Sequence, residues 1–378
     1  MLEIYKLSRE CSLRIPKLKY FIVTFIILGV SQILISQVNY DITFKSLERK
    51  LKTDSLFSFK ECVFSVEKAY DENLSFEQFQ ENITTLVVLS MMREKSDSLN
   101  YKGSDKEIIK KYGSLFKTMT DTTFFIVAGE KYQNDPFHYD FDDVFGEKKW
   151  ENMFVTKLLA TGKGNCHSMP YLYKILCEEL GVPCWLALAP NHIYIKHRSE
   201  KAGMYNTELT SASFPIDAWL MASGYITLEA IQNGIYMDAL DDKKCIALCV
   251  LDLAKGYEKK YPDNDGAFIL KCCDLTMEYI PNYINALLLK AETKKKQIEK
   301  LVRQRGITYE VFKMQTDGKI MWEEMRSLYE KIHKLGYRTM PEKMYVDWLV
   351  SLKAEREKYS NKQVTEMNME HPDKSGKN

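Results

Sequence analysis

Apolar residues recur along this chain at two spacings, and the change from one to the other marks its most informative stretch. Met169, Leu172, Tyr173, Leu176 and Leu180 follow at three- and four-residue intervals, which predicts a helix with one apolar stripe. Pro170 falls in its first turn, where a missing N–H does little harm, and Gly181 with Pro183 stops it. The spacing then shortens. CWLALA (184–189), HIYIKH (192–197) and MYNTELT (204–210) read as three strands, the last two joined by the polar RSEKAG. In the second strand Ile193 and Ile195 share one face, and His192, Tyr194 and Lys196 share the other. By the same alternation Asn206, Glu208 and Thr210 lie together on the third.

Helical spacing dominates on both sides. Residues 41–160 read mainly as helices, among them FSFKECVFSVEKAY and SFEQFQENITTLVVLSMMREK, with a start signal at Ser75. DPFHYDFDDVF (135–145) has no clean period and is expected to cross the surface as a loop near the site. WENMFVTKLLATG is a short helix stopped at Gly162. From about residue 225 to 357 the pattern is helical again, with Pro262 and Pro281 ending two of its segments. The tail, 358–378, has almost nothing to bury and is expected to be disordered.

The N-terminus changes the picture. Lys6, Arg9, Arg14, Lys17 and Lys19 precede a stretch from 20 to 40 without a charge. Residues 1–40 are therefore expected to act as a signal peptide, cut near Ser36 and Gln37, or as an uncleaved membrane anchor. Either places the rest of the protein outside the cytoplasm, in the periplasm or cell envelope, with no membrane contact beyond this segment. A formal charge of +1 over 378 residues excludes a general nucleic-acid or acidic-lipid binder. Nine cysteines form no compact disulfide framework. Cys245, Cys249, Cys272 and Cys273 are expected to be small buried side chains. No cofactor or metal site is read: Cys166, His167, His192 and His197 lack a recognisable ligand spacing.

Cys166 is placed for chemistry. A helix N-terminus and a neighbouring imidazolium both favour a thiolate, a base must serve the leaving group, and a third group must orient that base. Cys166 at a helix start, His192 opening a strand and Glu208 on the next supply these parts in order. The Cys166 backbone N–H and the Asn165 side chain are oxyanion candidates. His167 is expected on the surface or in a loop, and Tyr194 and Trp185 in packing.

The run TGKGNCHSMPYLYKILCEELGVPCWLALAPNHIYIKH, followed by YNTELT, resembles the core of the transglutaminase-like superfamily, and within it the SirB-type branch. The resemblance covers roughly residues 140–215. It implies an α+β, papain-like core, with the cysteine helix packed on a small antiparallel sheet. It also implies Cys166 as nucleophile, His192 as base and Glu208 as third member. Two positions depart from the common pattern: Glu208 stands where many members have aspartate, and His167 where many have tryptophan. The expected organisation is an N-terminal helical region (41–134), the core (135–224), a helical-repeat region (225–357) and the tail. The C-terminal helices resemble tetratricopeptide-type hairpins. The implied activity is a thiol-dependent amide hydrolase or acyl transferase on peptide or protein substrates. The alternative is a retired scaffold that grips a protein partner through its helices.

Overall fold

The computed structural model describes residues 37–53, 58–97, 99, 101–127 and 129–368. The basic N-terminus and most of the apolar run lie outside the described residues, and so does Cys11. Among the described residues no helix is long and apolar enough to cross a membrane.

Helix α1 (37–52) shows why residue 40 is not the end of the N-terminal segment. Tyr40, Phe44, Leu47 and Leu51 repeat at helical spacing and are buried, while Val38 and Ile42 face solvent. Tyr40 meets Tyr257 and Phe268 edge-on, with ring centroids 5.2 and 5.8 Å apart. It belongs to the folded body.

Three more helices follow: α2 (Phe59–Tyr70), α3 (Phe76–Ser96) and α4 (Lys106–Thr120). The region is not helical throughout. Strands β1 (Thr123–Val127) and β2 (Glu130–Asn134) form an antiparallel hairpin, which corrects the helical reading of 41–134. Its cause is local: β-branched and aromatic residues in TTFFIV precede Gly129, whose φ of +86° closes the turn.

The loop expected at 135–145 contains a short strand, β3 (His138–Tyr139), which pairs in parallel with β4 (Lys163–Gly164). Between them lies α5 (Val155–Thr161), whose first N–H groups are held from outside. The buried carboxylate of Glu67 accepts from Val155 N at 2.6 Å and Thr156 N at 2.9 Å. Burial nevertheless pushes this carboxyl up to about 7.

Helix α6 (Ser168–Glu179) is buried on nearly every side, not only along the predicted stripe; Tyr171, Ile175 and Lys174 are also enclosed. Such a helix is the axis of a core rather than its cover. It packs on the antiparallel sheet β5 (Trp185–Ala189), β6 (His192–Ser199) and β7 (Gly203–Thr207), in the order β5-β6-β7. The fold is thus α+β. Ala189 pairs with His192, so only Pro190 and Asn191 make the reversal, and Asn191 takes a φ of 56° to do it.

Helices α7 (Asp217–Met221) and α8 (Leu228–Gln232) lead to the long α9 (Asp242–Lys260), which lies against α2 and α10 (Ala267–Tyr279). Then come α11 (Ile284–Arg305), α12 (Tyr309–Met314) and α13 (Thr316–Lys334), and α14 (Glu342–Ala354) returns to the sheet end. One apolar core runs from Tyr40 to Met367, and a second, smaller cluster of Ile298, Val302, Phe312 and Met325 joins α12 to α11 and α13.

The tail expected to be disordered is ordered as far as 368. Helices α15 (Arg356–Tyr359) and α16 (Lys362–Asn368) bury Val364 and Met367. Ile216 N donates to Tyr359 O and Asn361 N to Phe214 O, both at 2.8 Å. Two apolar side chains and an edge pairing are enough to dock a polar sequence. Residues 369–378 lie outside the described residues.

Candidate active site

The two glycines before Cys166 serve different needs, a left-handed turn at Gly162 and close packing at Gly164. Gly162 ends α5 in the left-handed conformation, φ 69°. A Cβ on Gly164 would sit 2.5 Å from Ser168 Oγ and 2.8 Å from Leu158 Cδ1. Asn165 then starts α6: its Oδ1 accepts from His167 N at 2.9 Å and Ser168 N at 3.2 Å. Its Nδ2 donates to Val144 O at 3.2 Å. Nδ2, the group expected to donate to an oxyanion, also meets Met153 Sδ at 3.0 Å, so both ends of the side chain are engaged within the fold.

Cys166 sits at the mouth of α6, 6% exposed, with Sγ 3.5 Å from Asn191 O. His192 Nε2 is 2.6 Å from Glu208 Oε2, and both side chains are buried. Glu208 Oε1 accepts from Thr210 N at 2.8 Å. Lys196 pairs with Asn206, so His192 and Glu208 share one face of the β6–β7 ladder. Asn206, on the same face, points away to Pro215 O at 3.0 Å and Asp217 Oδ1 at 2.8 Å. Of the two, only Glu208 meets the imidazole.

The electrostatics follow from this enclosure. Burial alone would raise the Cys166 thiol, but hydrogen bonding to His192, the His192 charge, and the hydroxyls of Tyr345 and Tyr139 hold it below the ordinary thiol value. Burial pulls His192 down, yet the Glu208 carboxylate and the Cys166 thiolate push it up to about 10. Burial lifts Glu208, and the His192 charge more than reverses that. The set favours a thiolate–imidazolium pair flanked by a carboxylate.

Two tyrosines complete the site, and sequence reading assigns neither. Tyr345 on α14 brings its hydroxyl 3.1 Å from His192 Nδ1 and 3.1 Å from the hydroxyl of Tyr139 on β3. Burial and then the Cys166 charge keep both phenols well above their ordinary value, so they are neutral donors. Trp348, one helical turn beyond Tyr345, stands edge-on to His192 at 5.4 Å. Tyr139 lies inside the aromatic stretch expected near the site; no local signal marks Tyr345.

His167 is buried, not at the surface. Its Nδ1 lies 2.9 Å from Met153 O and its Nε2 3.0 Å from Asp252 Oδ2, which also accepts from Tyr171 at 2.9 Å. The Asp252 carboxylate raises it against the effect of burial. Its imidazole ties α6 to α9. Cys166, His167, Asn191 and His192 line one end of a cleft of about 620 Å³. Lys255, Lys259 and Lys296 stand farther along it, on α9 and α11.

Replacing Glu208 by Gln removes the charge that raises His192. Its titration, followed by NMR of the imidazole, is expected to move from about 10 towards the ordinary 6.5. The raised value stabilises the fold fully below pH 6.5 and loses that contribution as pH rises through about 10. The variant should therefore show a flatter stability profile over that window. An unmoved His192 titration would remove Glu208 from its role.

Set against models of known families, against curated proteins and against solved structures, the chain has no match in any of the three comparisons.

Proposed function

We propose that this protein is an exported thiol-dependent amide hydrolase or acyl transferase, acting on peptide-like substrates through a transglutaminase-like, papain-like core. One observation carries the reading: His192 is bonded through Nε2 to buried Glu208, and its hydrogen bond and charge hold the Cys166 thiol below its ordinary value. In this mechanism Cys166 Sγ attacks the amide carbonyl carbon. His192 gives its Nδ1 proton to the nitrogen as the C–N bond breaks, and an acyl thioester remains. Water or an amine then attacks the thioester, its proton passes to His192, and the C–S bond breaks to release the thiolate and restore the ion pair. Glu208 holds the imidazole in orientation throughout. With Asn165 used in its cap, the oxyanion falls to the Cys166 N–H at the start of α6 and to the neutral tyrosine hydroxyls. Export through the N-terminal segment rests on the sequence pattern, and residues 1–36 lie outside the described residues.

A retired scaffold that binds a protein partner through its helices is the second reading, supported by the burial of Cys166 beneath Tyr139 and Tyr345. A peptidyl vinyl sulfone separates the two. The first reading expects a single adduct on Cys166, absent from Cys166→Ala. Adducts scattered over other cysteines, or none at all, would sink it and leave the scaffold.

A further inference from the structure

Away from the cleft, a second group of ligand-type side chains is packed inside the molecule. Cys177 on α6, Cys184 just before β5 and His197 on β6 place their sulfur and nitrogen atoms all within 4.8 Å of one another. All three residues are buried. His197 Nδ1 lies 2.9 Å from Thr207 Oγ1, but its Nε2, equally enclosed, has no hydrogen-bond partner among the described residues. A buried polar nitrogen left unpaired is destabilising, so such an atom calls for a partner.

The tautomer tells what kind. In the tautomer that donates Nδ1–H to Thr207 Oγ1, Nε2 is a lone pair beside the two sulfurs. Imidazoles that hold metals show this arrangement, with the remote N–H engaged by a second group that fixes the ring. Two thiolates and an imidazole form a soft donor set, suited to ions with a filled d shell. Lys174 stands beside them, its Nζ donating to Cys184 O at 3.1 Å and to Asp242 Oδ1 at 2.8 Å. The ring of Tyr112 covers His197 at 3.9 Å between centroids.

We propose that Cys177, Cys184 and His197 form a binding site for a thiophilic d10 metal ion, Zn²⁺ or Cu⁺. Binding forms two metal–sulfur bonds and one metal–nitrogen bond and releases two thiol protons; no electron moves. The ion would clip the helix that carries Cys166 to the strand that carries His192. The site stands whether or not the cleft is catalytic.

The test uses the full chain under reducing conditions, with Co²⁺ as the spectroscopic probe. One equivalent is expected to give a thiolate-to-cobalt charge-transfer band that Zn²⁺ removes. Chelator competition with Zn²⁺ and with Cu⁺ then separates the two ions. Cys184→Ser should abolish the band, whereas Cys272→Ser, a buried thiol elsewhere, should leave it. Thr207→Val keeps the shape of a fully buried residue and should weaken Zn²⁺ binding by about ten- to a hundredfold. If Cys184→Ser does not fold, the parent spectrum and the Thr207→Val affinity decide. The proposal is overturned by a reduced chain that gives no band, by a band that survives Cys184→Ser, or by Thr207→Val binding at unchanged affinity. A Cys177–Cys184 disulfide in a chain whose reduced form binds no ion would also overturn it.

Discussion

Alkylation of Cys166 by iodoacetamide is expected to slow at pH 6 when His192 is replaced by alanine, about threefold for each unit by which the thiol rises. The direction follows from the pair itself: without the imidazolium, burial is the main influence left on the thiol, and burial favours the neutral form. The size follows from two opposing trends. A free thiol near 8.5 is only about 0.3% thiolate at pH 6, and each unit of depression raises that fraction tenfold. Each unit also lowers intrinsic nucleophilicity about threefold, so the net gain is about threefold per unit. Internal controls are built in. Cys62, Cys245 and Cys273 are pushed up by burial to about 11, 12 and 12, and should react slowly in both proteins. Peptide mapping of adducts against time and pH gives the rates site by site. A Cys166 rate indifferent to His192 would end the ion-pair model.

The second large effect lies in the C-terminal helices. Trp348→Ala is expected to destabilise the fold by about 3–5 kcal/mol, read as a lower urea midpoint with the slope retained. Trp348 is stacked on Trp219 with centroids 4.3 Å apart and an interplanar angle of 12°. Its Nε1 donates to Trp219 O at 3.1 Å, and its ring edge meets His192. Removing it opens a cavity bordered by the buried imidazole and strands the Trp219 carbonyl. The same variant should slow Cys166 alkylation, because the ring that fixes His192 is gone. A loss under about 1 kcal/mol would mean that α14 is an appendage rather than a wall of the site.

His192 and its neighbours also show what sequence can and cannot disclose. Period-two alternation is a property of the backbone, so local rules alone put His192 and Glu208 on one face. Choosing between Glu208 and Asn206 needs the loop after β7, where Asp217 and Pro215 O take up the Asn206 amide. The glycines before Cys166 are visible as punctuation, but their cause, the contact of Gly164 with Ser168 and Leu158, depends on how α5 meets α6. His167 reads as a loop residue because its partners, Met153 and Asp252, lie 14 and 85 positions away. Tyr345 is farther still, 153 positions from the imidazole it touches. Amphipathic spacing reports that a helix has a buried face; it does not say which part of the chain covers it. The β1–β2 hairpin is a different kind of miss, since its β-branched and aromatic run is open to local rules.

The return of α14 to the sheet has a consequence for the making of the protein. A chain is synthesised from its N-terminus, so Cys166, His192 and Glu208 all emerge long before Tyr345 and Trp348. Until the last few dozen residues are released, the imidazole lacks its aromatic wall and the thiol lacks one of its hydroxyl partners. The nascent protein therefore carries an unfinished cleft until α14 has emerged. A chain cut short before residue 342 would keep every residue of the triad and still lack the finished pocket.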